Sequence, residues 1–137
     1  MRRRDILAFL GAAAVAGLRG AQAQQEVPVI GFLSSASEQA WAQYTAAFHK
    51  GLAERHFVEG KNVSVEYRWA ENQLDRLSGM AADLVKRNVA AIVTGGGAAP
   101  AIAAKRATSR IPILFAHGAD PVRLGLVQSL SRPGGNV

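Results

Sequence analysis

The stretch Val89-Ala90-Ala91-Ile92-Val93-Thr94-Gly95-Gly96-Gly97 decides how this chain folds. Its first five residues form a short apolar run, which predicts a buried strand over Val89–Val93. The glycines end that strand, and the alanine-rich segment Ala98–Ala107 then predicts a helix. Pro100 lies in the first turn of this helix, where proline costs no helical hydrogen bond. A strand that passes through a glycine loop into a helix is typical of an α/β fold.

The same alternation of strands and helices continues towards the amino terminus. The apolar run Pro28–Leu33 predicts a first strand, and Ser37 is placed to cap the helix that follows. That helix has an apolar face at three- and four-residue spacing, formed by Trp41, Tyr44, Phe48 and Leu52. In Val63–Trp69 apolar and polar residues alternate, which predicts a half-exposed strand near a sheet edge.

The remaining segments complete the alternation. They predict a second helix over Leu74–Val85, a fourth strand over Ile111–Phe115 and a short helical segment over Val122–Leu130. Strands that alternate with helices form a parallel sheet with right-handed crossovers. We therefore predict an α/β lobe with a parallel sheet of about four strands and flanking helices.

The amino terminus reads as an export signal. Arg2-Arg3-Arg4 precedes the apolar run Ile6–Leu18, and Ala21-Gln22-Ala23 suits a signal peptidase, so we expect cleavage after Ala23. Residues 1–23 are then a signal peptide, and 24–137 is the exported lobe. Arg3-Arg4 also resembles the twin-arginine pattern, which leaves both export routes open. An uncleaved anchor is disfavoured, because the apolar run is shorter than the roughly 20 residues that span a membrane.

The charge of the chain comes largely from this leader. The formal net charge is +6, and removing four arginines and one aspartate leaves +6 − 4 + 1 = +3. The remaining cations are scattered among acidic residues, which argues against nucleic acid as a partner. The chain has no cysteine, so disulfides and thiolate metal sites are excluded. We predict neither a metal nor a cofactor.

Ligand-binding residues are expected at the carboxyl ends of the strands, where a parallel sheet leaves a crevice. Three loops lie there, and they contain hydroxyls, flexible glycines and one histidine with a nearby carboxylate. The candidate residues are Ser34, Ser35, Thr94, Gly95, Gly96, His117 and Asp120. For each of them a plain structural role, as a helix cap or a tight turn, stays open beside the binding role.

The familiar enzyme motifs are missing. A dinucleotide fingerprint needs glycine at the sixth position from Gly95, where this chain has Pro100, and no Gly-Lys-Ser or Gly-Lys-Thr phosphate loop occurs. Ser34 and Ser35 lack a Gly-x-Ser-x-Gly elbow. We therefore predict that the protein is not an enzyme. An exported α/β enzyme with His117 and Asp120 in a catalytic loop stays the alternative.

Several spaced segments resemble the periplasmic substrate-binding proteins of ABC transporters, including tryptophan- and tyrosine-type binding components. They are Val29–Ser34, Gly51–Glu54 with Val58–Val63, Glu66–Ala70, Ala81–Val85, and Asp120–Val122 through Gly125–Val127 to Arg132–Val137. The resemblance implies the amino-terminal lobe of a type I periplasmic-binding-protein fold, with the second lobe absent and the chain truncated at Val137. By position it assigns the seven candidate residues to the ligand cleft.

The same resemblance implies a function. Such a receptor captures a small solute, here with an amino acid as the suggested ligand, and delivers it to a membrane permease. It implies a periplasmic location, and a missing lobe would expose apolar surface through which the chain could self-associate. A sensing lobe that acts through a membrane partner is a further alternative.

Overall fold

A computed structural model of the protein describes residues 26–137 as a single four-stranded parallel sheet with helices on both faces. The predicted signal peptide lies outside these residues. The strands are β1 (Val29–Ser34), β2 (Ser64–Trp69), β3 (Ala91–Gly95) and β4 (Ile113–Phe115), in the spatial order β2-β1-β3-β4. The helices are α1 (Glu38–Glu54), α2 (Leu77–Lys86) and α3 (Ala98–Ala107), with a 3₁₀ turn over Leu74–Arg76 before α2. The predicted parallel α/β architecture is confirmed.

The main core lies between the sheet and the helices α2 and α3. Leu33, Leu84 and Ile92 are fully buried there. The close approach of α2 to β1 depends on Gly31, because a Cβ at this position would lie 2.9 Å from a methyl group of Leu84. Helix α1 lies on the opposite face and contains no buried residue. The two faces of the sheet are therefore covered to very different extents.

Strand β2 forms one edge of the sheet, as its alternating sequence predicts. Its polar side chain Arg68 faces α2, where two guanidinium nitrogens donate to Asp83 Oδ2 at 2.7 and 3.0 Å. These hydrogen bonds hold the pKa of the Asp83 carboxyl below its usual value and raise the pKa of Arg68. An ion pair therefore ties the edge strand to α2.

The segment after β4 differs from its prediction. Residues 122–130 form a series of turns and not the predicted helix. Gly125 adopts the left-handed φ of 68°, and Leu126 N donates to Pro121 O, which is not the partner it would have in an α-helix. Lys105 Nζ of α3 donates to the carbonyls of Gly125 and Leu126 at 2.6 and 2.8 Å. Contacts with α3 therefore replace the helical hydrogen bonds.

Across residues 26–137, no helix combines the length and the apolar character that crossing a membrane requires.

Candidate functional site

Three loops meet at the carboxyl edge of the sheet, where the sequence predicts a site. The first follows β1 and leads into α1, whose amino end is capped by Ser37 Oγ accepting from Ala40 N at 3.2 Å. The second is the glycine loop between β3 and α3, and the third begins after β4 at Ala116. The order β1-β3-β4 makes these three strands neighbours, so their loops lie side by side.

A hydrogen bond of Ser35 joins the first two loops, and Ser34 forms one within the first loop. Both serines are buried. Ser34 Oγ accepts from Ala36 N at 3.2 Å, and Ser35 Oγ donates to Gly96 O at 2.5 Å. Gly96 has a φ of 83°, and a Cβ there would lie 2.6 Å from Ser35 Oγ. Only glycine fits at this position. Gly96 therefore packs directly against the two serines, which do not themselves line the cavity described next.

An apolar cavity of about 550 Å³ opens beside these loops, between α1 and the sheet. Two of the predicted residues with polar side chains, Thr94 and His117, line it together with Gly96. Thr94 is almost fully buried, and its Oγ1 donates to Leu114 O at 3.3 Å. The rest of the lining is mainly apolar and comes from Phe32, Trp41, Tyr44, Phe48, Val93, Gly97, Ala116 and Gly118.

The aromatic wall of the cavity comes from α1. The ring of Trp41 packs against Gly95, where a Cβ would lie only 2.4 Å from two of its ring carbons. Tyr44 packs on Trp41 with 4.7 Å between ring centroids and is 53% exposed. Gly95 therefore provides the surface on which Trp41 packs, and it does not itself line the cavity. In the sequence both aromatic residues belong to the apolar face of a helix, and this pattern does not mark them as cavity residues.

His117 provides the only buried side-chain polar atom without a partner among residues 26–137. Its ring stacks on Phe115 at 4.8 Å, and its Nδ1 accepts from Ala119 N at 3.2 Å. Because Nδ1 accepts, the neutral ring carries its proton on Nε2, which is the unpartnered atom. A buried donor without an acceptor costs about 1–3 kcal/mol, so this atom is suited to an acceptor on a ligand.

Asp120 lies in the third loop but outside the cavity lining. Its side chain is exposed, and Oδ1 accepts from Val122 N at 2.9 Å and from Arg123 N at 3.4 Å. In this structure the carboxylate therefore caps its own turn. Within residues 26–137 no group of three or more histidine, aspartate or glutamate side chains is arranged to hold a metal ion.

Residues 26–137 match the family described as ABC transporter substrate binding protein. This match covers most of the chain. The protein therefore belongs to the ABC transporter substrate-binding protein family.

Individual relatives agree with this assignment. The chain is 37% identical over 93 residues to a tyrosine-binding protein of Clostridioides difficile strain R20291, covering 66% of this chain and 26% of the relative. It is similar, at a TM-score of 0.75 and 31% identity, to the ligand-free, open structure of a substrate binding protein with adhesive properties from Clostridium difficile. That match covers 81% of this chain and 37% of the solved chain.

A third similarity is to an ABC domain from Streptococcus pneumonia solved in complex with L-Trp, with a TM-score of 0.73 and 26% identity. It covers 80% of this chain and 37% of the solved one. The chain thus spans about a quarter of the length of the curated relative and over a third of the solved structures. The predicted family and the predicted one-lobe α/β fold are both confirmed.

Proposed function

We propose that this lobe contributes one half of an extracytoplasmic receptor that captures an amino acid with an aromatic side chain for an ABC transporter. The observation that carries the proposal is the meeting of three loops beside an apolar cavity, with the unpartnered Nε2 of His117 among the lining residues. Relatives that are described as binding tyrosine or L-Trp support the choice of solute.

The solute carboxylate is assigned to hydrogen-bond donors at this edge. Backbone N–H groups at the start of α1 and in the glycine loop, together with Nε2 of His117, are the donors that suit an anion. Ser34, Ser35, Thr94 and Gly96 hold these loops in place through their own hydrogen bonds and close contacts. They serve the carboxylate indirectly in this proposal.

The solute ammonium is assigned to Asp120. Its side chain is exposed and close in sequence to His117, so it is the nearest carboxylate within the third loop. An ammonium bound there would gain a charge-assisted hydrogen bond. The aromatic side chain of the solute would enter the cavity beside Trp41, because burial of an aromatic ring against other rings is favourable.

Delivery of the solute to a membrane permease, and a periplasmic location reached through the signal at residues 1–23, complete the proposal. A second lobe closing over this surface would remove the solute from water, and hinge closure of this kind supplies much of the affinity. One lobe alone is therefore expected to bind weakly. The half-exposed apolar wall of the cavity is also the surface through which we expect the isolated chain to self-associate.

Thermal unfolding with added L-tyrosine or L-tryptophan tests this proposal, with L-lysine as the negative control. The chain should be compared with a fusion that adds the carboxyl-terminal part of the tyrosine-binding relative. At ten times the dissociation constant a ligand stabilises by about 1.4 kcal/mol, which corresponds to roughly 3–6 °C in the larger, two-lobed fusion. Stabilisation of the fusion by the aromatic amino acids, with little effect on the chain alone, is expected.

Two variants of the fusion assign the residues. His117→Gln and Asp120→Asn should each weaken binding, whereas Glu54→Gln, an exposed change on α1 outside the site, should leave it unchanged. Equal stabilisation by L-lysine would contradict the aromatic solute. Unchanged affinity in Asp120→Asn would remove the role given to that carboxylate.

A further inference from the structure

Helix α1 is attached to the sheet without any fully buried side chain of its own. None of its 17 residues is buried, although it supplies the aromatic wall of the cavity. Its apolar contacts centre on Phe32 of β1, whose ring lies 6.2 Å from that of Trp41 and 5.7 Å from that of Phe48. A helix held mainly through half-exposed rings has a position that apolar burial alone defines poorly.

A chain of polar side chains also links α1 to the sheet. His49 of α1 lies between Tyr67 of β2 and Glu59 of the connecting loop. The Tyr67 hydroxyl is 2.6 Å from His49 Nε2, and His49 Nδ1 is 3.3 Å from Glu59 Oε2. Within residues 26–137, no other side chain of α1 forms a hydrogen bond or an ion pair with a residue outside the helix and its cap.

We infer the positions of the protons in the Glu59–His49–Tyr67 contacts from the partners of each group. Burial, with smaller contributions from Glu59 and Glu38, raises the pKa of Tyr67 to about 12, so the phenol keeps its proton. The Tyr67 O–H can therefore donate to His49 Nε2. His49 then carries its own proton on Nδ1, where the Glu59 carboxylate accepts it. Each group has a defined partner, which gives the contact a direction that stacked rings lack.

The hydrogen-bonded residues Glu59, His49 and Tyr67 are also close to the cavity wall, because His49 and Trp41 lie on the same helix. Trp41 is eight residues before His49, which corresponds to about 12 Å along an α-helix. A helix moves as a rigid rod over this distance, so a shift at His49 moves Trp41 relative to Gly95. The Trp41 ring already contacts the Gly95 backbone. Small shifts of α1 therefore change the shape of the cavity.

We propose that His49 is a positioning residue: the hydrogen-bonded chain Glu59–His49–Tyr67 fixes α1 on the sheet and thereby sets the position of Trp41 in the cavity wall. The positioning stands on the contacts of α1 alone. Its consequence for solute affinity rests on the function proposed above.

The first test determines which ring nitrogen of His49 carries the proton. In ¹⁵N NMR of the chain, His49 should show a protonated Nδ1 and an unprotonated, hydrogen-bonded Nε2. Tyr67→Phe keeps the ring that stacks on Trp69 at 5.6 Å and removes only the hydroxyl, so this tautomer preference should weaken, with Glu59 left as the one remaining partner of His49. An Nε2-protonated His49 in the unaltered chain would overturn the proposal without any substitution.

The second test reads the position of Trp41. Trp69→Phe leaves Trp41 as the only tryptophan, whose emission and acrylamide quenching report its contact with Gly95. In that background His49→Leu should shift the emission to longer wavelength and increase quenching. His49→Gln, which can still accept from the phenol, should restore the original values. The matched control is His56→Gln, an exposed histidine just beyond α1. Lower stability with unchanged Trp41 emission would mean that His49 stabilises the fold without positioning Trp41, and this would overturn the proposal.

The third test measures L-tyrosine binding in the two-lobed fusion. Loss of one hydrogen-bonded contact of this kind should weaken affinity about tenfold in His49→Leu. Unchanged affinity despite a displaced Trp41 would overturn the link to the cavity. If the unaltered fusion binds no aromatic amino acid, the proposed function fails, while the NMR and fluorescence results still decide whether His49 positions α1.

Discussion

Replacing Gly95 by alanine tests how tightly α1 sits on the sheet. The added Cβ would lie 2.4 Å from two ring carbons of Trp41 and 3.2 Å from a third, so the ring or the helix must move. Overpacking of this kind costs about 1–3 kcal/mol. The loss of glycine flexibility in the unfolded chain returns about 0.5 kcal/mol. We expect a net loss of about 1–2 kcal/mol, which corresponds to a Tm lower by roughly 4–8 °C.

Thermal unfolding followed by circular dichroism measures this loss, and in a Trp69→Phe background the emission of Trp41 reports the displacement. The matched control is Gly118→Ala, because a Cβ at that cavity position meets nothing within 4 Å. A double-mutant cycle isolates the contact: in a Trp41→Ala background, Gly95→Ala should cost almost nothing. An equal cost in both backgrounds would refute the argument, since the strain would then not involve the indole ring.

Three further predictions concern the α2 side of the sheet. Gly79→Ala, at an exposed position of α2 with free space around it, should stabilise by about 0.5–1 kcal/mol and raise Tm, and an unchanged or lower Tm would contradict this. Asp83→Asn should lower Tm at neutral pH. Because Arg68 lowers the pKa of Asp83, this stabilisation is present above the unfolded pKa of about 3.9 and is lost as the pH falls through the folded pKa, so the difference in Tm should vanish in acid. A difference that persists in acid would argue against the ion pair. Leu84→Ala should cost about 2–5 kcal/mol in denaturant unfolding, against almost nothing for the exposed Leu130→Ala.

Most of the fold could be predicted from hydrophobic periodicity. The residues of α3 match the predicted Ala98–Ala107, and the alternating pattern of Val63–Trp69 correctly placed β2 at an edge. The predicted helix over Val122–Leu130 was wrong, because its apolar spacing is compatible with a helix whereas the local contacts are not. The left-handed Gly125 and the carbonyls bound by Lys105 are tertiary features that periodicity does not contain.

The site was predictable as loops and only in part as side chains. A parallel sheet requires that the loops after β1, β3 and β4 meet, and they do. What a given side chain does depends on distances between segments far apart in the sequence. His49 illustrates this: Tyr67 lies 18 residues away, so no local pattern distinguishes this partnered histidine from the exposed His56. The binding roles of the seven candidate residues stay predictions.

One face of the sheet contains most of the buried core, and the other face carries the proposed binding cavity. Leu33, Leu84 and Ile92 are fully buried on the α2 and α3 side, whereas α1 has no buried residue on the other. Large losses of stability should therefore come from substitutions under α2 and α3, which lie away from the cavity. Substitutions along α1 remove less buried area, so they should change the cavity wall more than the free energy of unfolding. Because little of α1 is buried, the position of this wall depends on a few specific contacts, such as Trp41 with Gly95 and His49 with Tyr67.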